Sequence, residues 1–157
     1  DAQIAAYEQN VANIDYSYAR GKNLTRYDVL IIASMIEREV RVPDERALVA
    51  GVIYNRLRKG MILGIDATVQ YALGSRKTEL TVSDLATDSP YNTRRFAGLP
   101  PGPICSPRAA SINAAAHPKG TYLYYVARND GSGGHFFART EAEFEQAVAR
   151  SRANAGG

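Results

Sequence analysis

The stretch Leu24-Thr25-Arg26-Tyr27-Asp28-Val29-Leu30-Ile31-Ile32-Ala33-Ser34-Met35-Ile36-Glu37-Arg38-Glu39 decides how this chain folds. Thr25 with an acid three residues on, Asp28, is a variant of the capping box and starts a helix. From Val29 to Ile36 every residue except Ser34 is apolar. A helix that is apolar on all sides has to lie inside a core, so the other segments must pack around this one.

Upstream, residues 2–13 (AQIAAYEQNVAN) are Ala-rich and amphipathic and predict a first helix, followed by a polar relaxation from Asp15 to Asn23. Downstream, Pro43-Asp44-Glu45 opens a helix to about Arg58, which Lys59-Gly60 stops. A short helix is expected over Ala67–Leu73, and another after Thr81, which has Asp84 three residues on. Between Thr87 and Pro107, five of the seven prolines mark a long loop, after which Ser106-Pro107 is expected to cap a helix through Ala116. Thr121–Arg128 (TYLYYVAR) reads as a strand, with His135–Ala138 as its hairpin partner across a Gly-rich turn. Thr140 caps a last helix to about Arg152. The sum is an α+β fold: a helix-rich single domain with one buried helix and a small antiparallel sheet near the C-terminal end.

The 157 residues, 45% hydrophobic and 22% charged, suffice for one domain with a sizeable core and exclude wholesale disorder. No apolar run approaches the ~20 residues of a membrane span. A single cysteine, Cys105, excludes an internal disulfide, and with only His117 and His135 no metal cage or other cofactor is expected. No Gly-rich phosphate loop and no nucleic-acid-binding signature is present. The net charge is only +3, but between Ser89 and Asn129 there is no Asp or Glu, while Arg94, Arg95, Arg108, Lys119 and Arg128 all fall there. That stretch is expected to favour an anionic polymer.

Three places carry candidate chemistry. Glu37 ends the apolar helix, with Leu30, Ala33 and Ser34 on its face; desolvation there would raise its pKa toward that of a general acid. The plainer alternative pairs it with Arg41, one turn on. Glu39, two residues away, points to another side. Asp66 is either a second active-site carboxylate or the N-cap of the following helix, its oxygen accepting from an N–H near Val69. The loop from Tyr91 to Ile104 is stiffened by glycines and prolines; Tyr91 and Asn92 have the chemistry to stack on and hydrogen-bond a sugar, and a purely structural Ω-type loop is the alternative. Tyr122, Tyr124 and Tyr125 suit a half-buried strand, His117 suits a helix terminus, and Cys105 has no cationic partner that would make it a nucleophile.

Read together, seven segments in order resemble the YceG-like family, the MltG-type endolytic peptidoglycan transglycosylases of bacteria. They are Ile32–Glu39, Val52–Leu57 with Gly60-Met61, Asp66–Tyr71, Ser89–Thr93, Gly98–Ile104, Ala114–Pro118 and Gly133–Phe136. The resemblance implies cleavage of the β-1,4 bond from N-acetylmuramic acid to N-acetylglucosamine without water, the muramyl C6 hydroxyl leaving a 1,6-anhydro end. It also implies that the first Glu after Ala33-Ser34, Glu37, is the essential acid and base, and that Glu39 is not. Asp66, Gln70, Tyr91, Asn92 and Thr93 are the expected sugar contacts. A muramidase-type hydrolase using Glu37 with Asp66, and a non-catalytic glycan-binding module, are the competing readings. Residues 1–24 are expected to connect to an N-terminal subdomain and 25–157 to form the catalytic domain. The family resemblance further implies a membrane-anchored protein whose catalytic part faces the periplasm or extracytoplasmic side. Peptidoglycan strands are the implied partner, with cell-wall synthases as further partners and no nucleic acid.

Overall fold

The computed structural model describes residues 2–157 and places the buried helix where the apolar run requires it. In chain order the elements are α1 (Ala2–Ala12), α2 (Ser17–Gly21), α3 (Arg26–Glu39), α4 (Arg46–Lys59), α5 (Asp66–Leu73), α6 (Val82–Leu85), α7 (Ala109–Ala116), β1 (Tyr124–Ala127), β2 (His135–Ala138) and α8 (Glu141–Ala155). The α+β class read from the sequence is the observed one.

Helix α3 begins with the expected box: Thr25 Oγ1 accepts from the Asp28 N–H, and Asp28 accepts from the Thr25 N–H. Ile31 through Ile36 are all buried, and they pack against α4, α5 and α7 with Val49, Ile53 and Ile112. Burying an aliphatic side chain of this size contributes roughly 1.5–3 kcal/mol, so this one run supplies much of the folding drive. Its only polar member, Ser34, is fully buried but not orphaned. Its Oγ donates to the Ile31 carbonyl and accepts from the Ile104 N–H at 3.0 Å, which pins the proline-rich loop to α3.

The Tyr54-Asn55-Arg56 run on α4 works as three clamps on distant carbonyls. Tyr54 Oη donates to Ala115 O at the end of α7, Asn55 Nδ2 to Tyr122 O, and Arg56 Nε to Leu123 O. These bonds fix the approach to the sheet, where β1 and β2 pair antiparallel from Tyr124↔Ala138 to Ala127↔His135. A Cβ on Gly51 would lie 1.9 Å from Lys119 O, so only glycine lets α4 approach the turn before the sheet.

Five local expectations are corrected. The polar segment after α1 contains a short helix, α2, because Ala19 is drawn into the core. Pro43–Glu45 is a separate 3-10 turn ahead of α4. The strand is shorter than TYLYYVAR, and α8 runs three residues beyond Arg152. Ser106-Pro107 does not cap α7; Arg108 holds the N-cap position and its side chain makes no cap bond. The group that does meet this terminus comes from α3.

Candidate functional site

The last turn of α3 carries Glu37 and Glu39, which lie about 200° apart around the helix and therefore meet different neighbours. Glu37 turns to the start of α7. Its Oε2 accepts from Ser111 Oγ and from the Arg108 N–H at 3.3 Å, and its Oε1 from Arg108 Nε at 2.6 Å. Glu37 thus supplies the missing cap of α7, at the end where the helix dipole favours negative charge. Burial by itself would raise its pKa, but the bonds from Ser111 and Arg108, with the Arg108 charge, outweigh it. The net result is a carboxyl held below its ordinary 4.5. The expected upward shift of Glu37 is therefore corrected to a downward one: its carboxyl is a hydrogen-bonded anchor for the start of α7. Arg41 is not its partner.

Glu39 turns to the sheet and has the environment expected of the other acid. Burial raises its pKa and the Asp66 charge adds to this; a hydrogen bond from Tyr125 Oη at 3.0 Å and the charges of His135 and Arg94 only partly offset the rise. Glu39 also borders two cavities. One, of about 180 Å³, is lined by Glu39, Arg56, Gly64, Asp66, Arg94 and Tyr125. The other, of about 420 Å³, is lined by Glu39, Arg41, Asn129, Gly133, Gly134 and His135. A raised carboxyl between two adjoining hollows is the arrangement an acid needs to reach a bond within a chain that continues on both sides. A larger cavity of about 630 Å³ opens between α2 and α4, but no carboxylate lines it, so it offers no acid chemistry.

Asp66 lies in the smaller cavity with Glu39, but it is not a helix cap: Ile65 is the N-cap of α5, and Asp66 Oδ1 accepts from Arg94 Nε at 2.8 Å and lies 2.7 Å from Arg94 Nη2. The other four expected sugar contacts are occupied internally. Gln70 accepts from Arg38 Nη2 at 3.0 Å and donates to Lys77 O at 2.8 Å. Tyr91 is half-buried, its ring 4.8 Å from that of Tyr71. Asn92 is fully buried; its Nδ2 donates to Leu85 O and Thr87 O, and its Oδ1 accepts from the Arg94 N–H. Thr93 is buried too, its Oγ1 accepting from the Ile65 N–H and 2.8 Å from Thr68 Oγ1. Asn92 and Thr93 are corrected to structural residues, since neither can reach a ligand without unfolding the loop. What they do is present Arg94 to Asp66.

The sequence reading missed Arg56, Arg94, Tyr125 and the pair His135–Glu45, in which Nδ1 is 2.8 Å from Glu45 Oε2. Gly133-Gly134 next to His135 was the one available signal, because a tight turn lets backbone approach the cavity. The acid-free stretch also looks different in space. Arg94 pairs with Asp66, Arg95 with Asp88 and Arg108 with Glu37, so three of its five cations are matched by acids from elsewhere. His117 behaves as expected, with Nδ1 2.8 Å from Asn113 O.

Comparison with known proteins agrees with this architecture. An endolytic murein transglycosylase of Bacillus subtilis is 45% identical over 106 residues, covering 67% of this chain and 29% of the relative. One of Streptococcus pneumoniae is 34% identical over 155 residues, covering 95% of this chain and 28% of the relative. The chain therefore spans under a third of these proteins. A crystal structure of a yceG-like protein from Listeria monocytogenes matches with a TM-score of 0.76 at 38% identity, over 92% of this chain and 45% of that one. The sequence model of the YceG-like family matches residues 1–150, and the chain belongs to that family.

Proposed function

We propose that this chain is the catalytic part of an endolytic murein transglycosylase, with Glu39 rather than Glu37 as its acid and base. The observation that carries the assignment is the contrast between the two carboxyls: Glu39 is biased toward its protonated form between two cavities, whereas Glu37 is held ionised at a helix terminus. Murein is the substrate named for the similar proteins of Bacillus subtilis and Streptococcus pneumoniae.

In the proposed reaction, protonated Glu39 gives its proton to the glycosidic oxygen as the bond from the muramyl C1 breaks. The carboxylate so formed takes the proton of the muramyl C6 hydroxyl as that oxygen bonds to C1. The products are a 1,6-anhydro-muramyl end and a free 4-hydroxyl on N-acetylglucosamine. No water is consumed, and Glu39 ends protonated again. A second carboxylate is not required, which suits an Asp66 tied to Arg94. A wall substrate calls for an extracytoplasmic location. We extend the proposal to membrane anchoring by other parts of the protein and to work beside wall synthases; among the described residues, no helix is long and apolar enough to cross a membrane.

Digestion of purified glycan strands, followed by mass spectrometry, tests the reading. Glu39→Gln should lose about 10²–10⁴ in rate while staying folded, and Glu37→Gln should retain most turnover per folded molecule. Products with water added would favour the hydrolase. Full activity of Glu39→Gln, with loss in a folded Glu37→Gln, would return the acid to Glu37.

A further inference from the structure

Of the two oxygens of Glu39, the structure commits one. Tyr125 Oη donates to Oε2 at 3.0 Å, while Oε1 has no hydrogen-bond partner among the described residues. The phenol is itself fixed from behind. Its ring meets the His135 imidazole edge-on, with centroids 5.2 Å apart and planes at 87°, and leans on Phe137 at 6.1 Å. His135 is locked by Glu45 through both its Nδ1 and its backbone N–H, each at 2.8 Å. The side chains of His135 and Glu45 are only 10% and 13% exposed, so water does not loosen that lock.

Resting on the assignment of Glu39 as the acid, we propose that Tyr125 is its positioning residue. The phenol holds Oε2 so that Oε1 faces the bond to be cut and carries the travelling proton, and the Glu45–His135 pair holds the phenol. The sheet does not need this hydrogen bond to form, because β1 and β2 pair through their backbones.

The proposal has a pH signature. A phenol hydrogen bond is stronger to a carboxylate than to a neutral acid, so Tyr125 favours ionised Glu39 and opposes the burial that favours the protonated form. The other charged or titratable groups around Glu39 are Asp66 on α5, Arg56 on α4, Arg94 on the loop, and His135 and Arg41 across the second cavity. None of them donates a hydrogen bond to it. With the phenol gone, Glu39 should hold its proton to higher pH while its reactive oxygen is less well aimed.

The test is Tyr125→Phe in the full chain, which keeps the ring, with cleavage to anhydro ends followed against pH. The expected result is a roughly tenfold fall in kcat with little change in KM, and an alkaline limb displaced upward by about half a pH unit or more. His135→Gln should shift the limb the same way by less. A fall in activity with an unmoved limb would reduce Tyr125 to a packing residue and overturn the proposal. NMR titration of the Glu39 carboxyl in the substrate-free protein checks the same displacement where turnover is too slow to follow. Glu39→Gln in parallel separates the two ideas: if it stays active, the acid assignment fails and Tyr125 goes with it. If it is inactive while the Tyr125→Phe limb stays in place, only the role of Tyr125 fails.

Discussion

Replacing Glu37 by Ala should unfold the protein more easily without removing an acid from the chemistry. The structure sets the size of the effect. Ser111 is fully buried and its hydroxyl donates a hydrogen bond to Glu37, so the substitution leaves a buried donor with no acceptor. A hydrogen bond to a charged group contributes about 1.5–3 kcal/mol. The carboxylate at the α7 terminus adds ~0.3–1 kcal/mol. The Arg108 ion pair adds little, because that side chain is 72% exposed and solvent screens it. Since these contributions share one carboxylate they do not add fully, and a loss of about 2–3 kcal/mol at pH 7 is expected. The sign of the pH dependence follows from a folded-state pKa below the ordinary 4.5. The ionised carboxyl stabilises the fold above the unfolded value, and its contribution fades as pH falls through the lower folded value. Urea denaturation of wild type and Glu37→Ala at pH 7 and pH 3 reads both features. A gap under ~0.5 kcal/mol at pH 7, or one that widens on acidification, would refute the anchoring role.

Asn92→Ala should cost about 2–4 kcal/mol, because it leaves Leu85 O and Thr87 O without their donor and the Arg94 N–H without its acceptor; the melting temperature should fall, while KM of the folded fraction stays near wild type. Tyr54 has its pKa pushed up to about 12, chiefly by burial. Its contribution is complete below the unfolded value of 10.0 and is lost as pH rises toward 12, so wild type should lose stability over that interval while Tyr54→Phe, weaker at pH 7, should be flatter there.

The buried helix, its capping box, the class of the fold and the family were all legible along the chain, because each depends on residues within one or two turns or on motifs in order. Val29–Ile36 could only be core, and Thr25 with Asp28 could only start a helix. The site was less legible. Asn92 and Thr93 have the chemistry of sugar contacts, and nothing local says that their amide and hydroxyl are turned inward to hold Leu85, Thr87 and Ile65.

The order of the two glutamates could not be settled by spacing at all. A helix determines that Glu37 and Glu39 face apart, but a carboxyl's pKa depends on what lies opposite it. Opposite Glu37 is Ser111, 74 residues along the chain; opposite Glu39 is Tyr125, 86 residues along. The sequence by itself determined that a carboxyl would end a buried helix. Only the tertiary structure decided which one meets three donors that pull its pKa down, and which one meets a single phenol while burial pushes its pKa up. Desolvation and hydrogen bonding pull a carboxyl in opposite directions, and both are set by contacts that come together only when the chain closes on itself.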